Sequence, residues 1–383
     1  GTRAVVEQLK DCLSVPEDHF NNDRDWFVMK NYVVDVRASW ASKSIVVVNH
    51  DPSRPVYRYM NANYNPAAEY PSLQRFLDTS IADESQARYL QKVFGSVLIG
   101  APNKTKTIID AFGAPEGGKS MIVRAVEALA PDFFEEVSEH AITKGHKDAD
   151  MARDKMRMAR ICAFSEVKSK LDKSFILKYT GGDTIETTRK YRNAVSWRAQ
   201  GVMIMMSNEG MNIGTQEEAI ADRIERINFP HKFLADSPDP QYRKDAELGA
   251  KIAAEADGFL TWLLLGFLAH MQEDENADGK VVASESMALL KMELQESTNT
   301  AAIFWESVAV HKYEKDLSAA KSKWVPLVTM IADYRKWCKM TEHQMMEEAD
   351  VKAWMKREGL FERASSQNRL TGLVHKQGAV IVG

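Results

Sequence analysis

The sequence predicts an α/β protein: a P-loop core on a sheet, a helical flank before it and a mostly helical region after it. Three observations lead there. "GAPEGGKS" at 113–120 fits G-x-x-x-x-G-K-[ST] and lies between strand-like "KTKTIIDAFG" and helix-like "SMIVRAVEALA", the order strand, loop, helix that such a loop requires. Residues from about 104 to 235 alternate strand-like and helical runs, as an α/β unit does. The chain on either side carries apolar residues three and four apart, the helical spacing.

In chain order, residues 1–71 read as an α+β lead-in, where "WFVMKNYVVDV" and "KSIVVVNH" are β-branched and bounded by polar turns. Prolines in "DPSRP" and "NYNPAAEYP" close it, and 72–103 is a helical, collar-like segment containing "SLQRFLDTSI" and "SQARYLQKVFGSVLIG". The core spans 104–235, with "ARICAFSE" and "QGVMIMMSN" as its other clear strands, each an apolar run ending in a polar residue. Residues 236–329 are helical, and 330–383 end in "LTGLVHKQGAVIVG", which reads as a terminal hairpin after helices.

Composition sets the outer limits. The chain has 383 residues, 44% hydrophobic and 27% charged, and no low-complexity tract, so it reads as globular throughout. Its longest apolar run, "GFLTWLLLGFLAHM" from Gly258, is short of the ~20 residues of a membrane span. With no signal peptide at its start, the expectation is a protein of the cytoplasm, away from membranes. Cys12, Cys162 and Cys338 are far apart and odd in number, which supports reduced thiols rather than a disulfide framework or a zinc site. The opening Gly, followed at once by helix-like "TRAVVEQLKDCL", reads as a cut from a longer polypeptide. Net charge is −4, yet residues 151–200 hold twelve basic side chains against five acidic ones. That window is either an unevenly charged solvated surface or a track for a polyanion.

A glycine-rich turn of this type wraps a phosphate chain in backbone N–H groups, places a lysine on the terminal phosphates and offers a hydroxyl to Mg²⁺. Pro115 has no N–H, so the cradle falls to residues 116–120, with Lys119 as the point charge and Ser120 on the metal. A phosphate-hydrolysing site also needs a carboxylate near the metal and the attacking water, a polar group at the γ-phosphate and a cation for the transition state. Glu166 after "RICAFS", Asn208 after "VMIMMS" and Arg223 in "ADRIERINFP" supply one of each in chain order. Taken singly, each has an ordinary alternative as a helix cap, a solvated strand end or a surface ion pair.

Between Glu166 and Asn208 runs "LKYTGGDTIETTRKYRN". Gly181, Gly182 and Asp183 read as a tight turn between extended stretches. The plain outcome is a surface hairpin. The functional one is a hairpin carrying Lys178, Arg189, Lys190 and Arg192 to a nucleic-acid backbone, with Tyr179 or Tyr191 for stacking.

The ordered set "GAPEGGKS", "ARICAFSE", "KYTGGDTIETTRKY", "MMSN" and "DRIERINFP" resembles the superfamily 3 helicases of the AAA+ class, in particular the helicase part of phage and plasmid primase-helicases. The flanks "RYLQKVFGSVLIG" and "ADGFLTWLLLGFLAHM" are similar too, so the resemblance covers most of residues 20–275. It implies that Gly113, Glu116, Gly117, Gly118, Lys119 and Ser120 bind ATP and Mg²⁺, that Glu166 is the Walker B acid and that Asn208 is the polar sensor. It further implies that Arg223 serves a neighbouring subunit's nucleotide, and that Lys178, Arg189 and Lys190 contact DNA in the channel of a ring, a hexamer. An upstream primase or primase-polymerase domain, a winged-helix-like region over residues 330–383 and a bacterial host cytoplasm follow from the same resemblance. Two departures stand out: Gly117 replaces the family's frequent Asn, and a lone Glu166 after Ser165 replaces two acids. The function expected is an ATP-driven, ring-forming replicative DNA helicase. The alternative is a nucleotide-gated module that assembles on DNA without processive unwinding. A P-loop kinase would leave the Gly-Gly-Asp segment without a task.

Overall fold

The computed structural model describes residues 25–54, 58–81, 83–99, 106–165, 171–188, 194–208, 218–273, 280–298, 300–309, 313–315, 325–341, 348–358 and 373–375, with 56, 167, 210, 211, 345 and 346. They form two units, one of residues 1–211 and 223–287 and one of residues 212–222 and 288–383.

The larger unit opens with a small antiparallel sheet. Strands β1 (Trp26–Val28), β2 (Val33–Asp35) and β3 (Val47–Val48) pair in that order. Helix α1 (Val36–Ser42) is capped by Asp35, whose carboxylate accepts from the Ala38 N–H at 2.9 Å. Helices α2 (Pro71–Ser80) and α3 (Glu84–Ile99) follow. Then come β4 (Ile108–Gly113), α4 (Lys119–Leu129), β5 (Phe134–Glu136), α5 (Ala149–Lys155), β6 (Ile161–Ser165) and α6 (Lys173–Gly181). A hairpin of β7 (Thr184–Thr187) and β8 (Val195–Arg198) precedes β9 (Val202–Ser207). Helix α7 (Glu218–Ala221), in the smaller unit, is followed by β10 (Ile224–Phe229).

Five of these strands make one all-parallel sheet in the order β10-β4-β9-β6-β5. Strands β4, β6 and β9 are apolar almost throughout and buried, as strands covered on both faces must be. The order reverses at β4. The chain leaves it for β5 at one edge and later crosses back to lay β10 on its other side. In open parallel sheets such a switch point, at the carboxyl ends of the strands, is where ligands bind. Helix α4 buries Ile122, Val123, Val126 and Leu129 in the same core as the sheet.

Helices α8 (Leu248–Ala254) and α9 (Ala256–Glu273) meet at a bend of 75°. Helix α9 buries Phe259, Leu260, Trp262, Leu263, Leu264 and Phe267, the profile of a core helix. It crosses α3 closely: a Cβ on Gly95 would stand 2.3 Å from the Leu263 carbonyl oxygen, and one on Gly266 2.2 Å from that of Gln91. Among the described residues no single helix is long and apolar enough to cross a membrane. Cys162 and Cys338 are buried free thiols, and Cys12 lies outside the described residues.

Helix α10 (Glu285–Thr298) leads into the smaller unit, which contains α11 (Thr300–Phe304), β11 (Tyr313–Lys315), α12 (Leu327–Thr341), α13 (Glu348–Arg357) and β12 (Leu373–His375). Its core gathers Phe304, Met330, Ile331, Tyr334, Val351 and Trp354. Of the segment expected to form a terminal hairpin, only Leu373–His375 is described: it is β12, which pairs antiparallel with β11, some sixty residues earlier. Residues 376–383 lie outside the description.

Candidate functional site

At the carboxyl end of β4 the backbone turns on two glycines that cannot be replaced cheaply. Gly113 has φ +127°, and a Cβ there would stand 2.3 Å from the Phe229 carbonyl oxygen of β10. Gly118 has φ +99° and caps α4; its Cβ would meet the Phe76 ring at 2.8 Å and the Ser80 hydroxyl at 3.1 Å. Gly117 is also confined, with Ala114 O at 2.8 Å from its added Cβ. Glu116 takes a left-handed φ of +58°, and its carbonyl accepts from the Phe233 N–H at 3.3 Å. The loop thus presents bare backbone, and behind it the first N–H groups of α4 have no acceptor within the helix.

Lys119 is 9% exposed and folds back over the loop. Its ammonium donates to the carbonyls of Gly113 and Ala114, both at 2.7 Å, and to Asn208 Oδ1 at 3.3 Å. Burial lowers its pKa. Asn208, just beyond β9, therefore reaches the loop because β9 is the immediate neighbour of β4. Ser120 is exposed in the first turn of α4.

A cavity of about 420 Å³ opens beside this turn, between α2, α4 and the segment 233–251. Arg75, Arg124, Arg243, Lys244 and Lys251 line it together with Lys119, against two acids, Glu116 and Asp245. Lys251 holds Asp245 at 2.6 Å and Lys244 sits 3.8 Å from Glu116, so positive charge remains in surplus. Ser80 lines the cavity, and its hydroxyl is buried with no hydrogen-bond partner. Bare backbone, a helix N-terminus and surplus cations fit a phosphate-bearing ligand. Sequence reading missed this wall. Arg75, Phe76, Thr79 and Ser80 share one face of α2, but nothing in their spacing says which element that face meets.

The remaining expected residues fall in three places. Arg223 stands at the opposite end of the sheet: its carbonyl accepts from the Ile108 N–H at 2.7 Å where β10 begins, whereas Phe229, at the end of β10, lies beside Gly113. Six strand residues separate Arg223 from its own loop by about 20 Å, beyond a side chain's reach. Glu166, Arg189 and Lys190 lie outside the described residues, as do Tyr191 and Arg192. Ser165, before Glu166, donates to Glu136 Oε1 at 3.3 Å, which brings one further carboxylate to the same edge of the sheet.

Lys178 is exposed, but on a helix. The Gly-Gly-Asp segment is a helix end and not a hairpin turn: Gly182, at φ +73°, caps α6 in the left-handed conformation, and its N–H reaches the Tyr179 carbonyl. The hairpin starts two residues later, as β7 and β8. Tyr179 is not available for stacking on a base, being 1% exposed, edge-on to Trp197 and in contact with Cys162 at 3.4 Å.

Elsewhere, His140, His146 and Asp148 bring ligand-type atoms within 4.8 Å of one another. The two imidazole rings lie stacked, 3.7 Å between centroids and 11° apart. No ion is assigned there.

The fold is mixed α/β, with a five-stranded parallel sheet that accommodates a P-loop-like core. No family model matches the chain. It is similar to a protein of Acanthamoeba polyphaga mimivirus named "Putative helicase L207/L206", 22% identical over 227 residues, which are 55% of this chain and 23% of that protein. It is similar as well to "Putative helicase V13" of Sputnik virophage, 24% identical over 184 residues, 44% of this chain and 24% of the relative. The chain thus spans about a quarter of the length of these curated relatives. Among solved structures, the apo C-terminal region of NrS-1, residues 305–718, aligns with a TM-score of 0.49 at 13% identity, covering 85% of this chain and 84% of that one. A second structure of that region aligns with a TM-score of 0.45 over 73% of this chain and 75% of its own.

Proposed function

We propose that this chain is the motor part of a DNA helicase of the superfamily 3, AAA+ type, hydrolysing ATP at boundaries between subunits of a ring, a hexamer, around DNA. The observation that carries the reading is the contact between Lys119 and Asn208 across the glycine turn at the switch point of the sheet. The loop of Gly113, Glu116, Gly117 and Gly118 would cradle the phosphates with backbone alone. Lys119 would exchange its carbonyl acceptors for phosphate oxygens, which a partly desolvated ammonium binds more strongly than it would in water. Ser120 and Glu166 would hold Mg²⁺, which supplies charge neutralisation between the β- and γ-phosphates when bound. Asn208 would orient the attacked phosphate or the water. The nucleoside would enter the cavity beside α2, where the Ser80 hydroxyl lacks a partner.

Arg223 supports the ring. A cation about 20 Å from its own loop is out of reach of that loop's nucleotide, and from the edge strand β10 it would serve a neighbour's nucleotide as an arginine finger. Lys178, Arg189 and Lys190 would engage single-stranded DNA in the channel, the first from α6 and the others from the stretch of sequence between β7 and β8. Since the matched stretch covers only about a quarter of each viral relative, an upstream primase or primase-polymerase domain belongs to this proposal, as does work in a bacterial host's cytoplasm.

A forked DNA duplex tests the reading. Displacement of a labelled strand by the protein with ATP, and none with Lys119→Ala, is expected. Ring assembly with nucleotide but no displacement would replace the motor by a nucleotide-gated assembly module.

A further inference from the structure

Asp110 and Arg226 sit in the middle of the parallel sheet, and nothing in the nucleotide reading uses them. They face each other in the β4–β10 register, with Arg226 Nε 3.5 Å from Asp110 Oδ2 and side chains 6% and 0% exposed. Both reach beyond their strands to the chain that follows β9. Asp110 Oδ2 accepts from the Met211 N–H at 2.8 Å, and Arg226 Nη2 donates to the Met211 carbonyl at 2.8 Å. One ion pair therefore holds both backbone groups of one residue. Gly210 crosses over the pair at φ +80°, where an added Cβ would lie 3.4 Å from Arg226 Nη1 and 3.4 Å from Asp110 Oδ2. Its N–H is taken by Ser207 Oγ at 2.9 Å. Asn208 is thus anchored on both sides, by β9 before it and by Met211 three residues after it.

The pair is expensive to keep. Burial pushes the Asp110 carboxyl up despite the Met211 N–H and Arg226, and pushes the Arg226 guanidinium down despite Asp110. Asp110 Oδ1 is buried with no hydrogen-bond partner. Two charges that water would serve better than they serve each other contribute little to stability, and apolar replacements of like volume are often tolerated or stabilising. What the pair contributes is geometry, since an apolar couple at these positions leaves the Met211 N–H and C=O without their partners.

We propose that Asp110 and Arg226 are positioning residues: their ion pair clamps Met211 and so holds Asn208 against Lys119 in the nucleotide site. The clamp itself concerns Gly210 and Met211, whatever the site binds; its effect on turnover rests on the ATPase reading above.

The double variant Asp110→Leu/Arg226→Met separates geometry from stability. Amide hydrogen exchange without nucleotide reads the clamp: the Met211 amide exchanges at least about tenfold faster in the variant, while β4 and β9 keep their protection. Steady-state hydrolysis reads its use. Turnover falls about 10²-fold, the scale of displacing a catalytic group by ~1 Å, the KM for ATP stays unchanged, and adding Asn208→Ala lowers turnover no further. Should the double variant fail to fold, Arg226→Lys keeps the charge but has one nitrogen where the guanidinium uses two, Nε toward Asp110 and Nη2 toward the Met211 carbonyl, and the same two readouts apply. Unchanged Met211 exchange overturns the clamp, and faster exchange with unchanged turnover overturns its role in positioning Asn208. Wild-type protein without hydrolysis contradicts the ATPase reading alone, and exchange at Met211 still decides the clamp.

Discussion

Gly113→Ala is the sharpest test of how the loop is built, and Gly145→Ala is its internal control. Both glycines have left-handed backbone, at φ +127° and +72°, but a Cβ on Gly145 has nothing within 4 Å, whereas one on Gly113 would stand 2.3 Å from Phe229 O and 2.7 Å from Phe229 C. That carbonyl is already engaged, accepting from the Ala114 N–H at 2.9 Å. The control pays only for the backbone, about 1–2 kcal/mol. Gly113→Ala pays the backbone term and then forces β4 and β10 apart, about 3–5 kcal/mol together. At about 2–4 °C per kcal/mol for a unit of this size, the melting temperature of the sheet-bearing unit falls by about 6–20 °C for Gly113→Ala and about 2–8 °C for Gly145→Ala. Thermal and urea unfolding measure both. Gly145→Ala keeps nucleotide binding and Gly113→Ala loses it. Equal destabilisation of the two, within about 1 kcal/mol, would refute the close approach of Gly113 to Phe229.

Other consequences can be checked separately. Arg223→Ala and Lys119→Ala proteins are each expected to be inactive alone, yet mixing them restores part of the hydrolysis, because an intact loop then meets an intact arginine across a boundary; no recovery at any ratio argues against action in trans. Lys178→Ala is expected to weaken binding of single-stranded DNA about equally for all sequences and to reduce the slope of log K against log salt by about 0.7, which fluorescence anisotropy across a salt series will read. The pKa of Asp110 is raised above its ordinary 3.8, chiefly by burial, with Arg226 as the charge facing it. A raised carboxyl favours the folded state below the unfolded pKa and loses that contribution as pH rises through the folded value. Denaturant melts should therefore show Asp110→Asn gaining on the wild type as pH climbs from about 4 toward 7, and a constant difference would contradict the burial.

Much of the site was legible because its chemistry is local. "GAPEGGKS" specifies a turn through its own glycines, and the apolar runs around Ile109, Ala163 and Ile204 had the length and polar ends of buried parallel strands. Asn208 was found by its place at a strand end, although its contact with Lys119 depends on β9 lying next to β4, which no local pattern states. The segment at Gly181–Asp183 misled for a physical reason: a left-handed glycine suits a tight turn and a helix end equally well. The discriminating signal was Asp172, whose carboxylate accepts from the Phe175 N–H as a helix cap, followed by Phe175, Ile176 and Tyr179 at helical spacing. Asp110 was visible as one acid inside an apolar strand, but its partner is 116 positions away and only the β4–β10 register brings them together.

The most direct test of the account is ATP hydrolysis by this chain with and without single-stranded DNA, at low and moderate salt, beside Lys119→Ala. The account predicts hydrolysis that DNA accelerates, an acceleration that fades as salt rises, and no activity in the variant. Hydrolysis indifferent to DNA at low salt, or equal in the variant, would contradict a motor built on this loop.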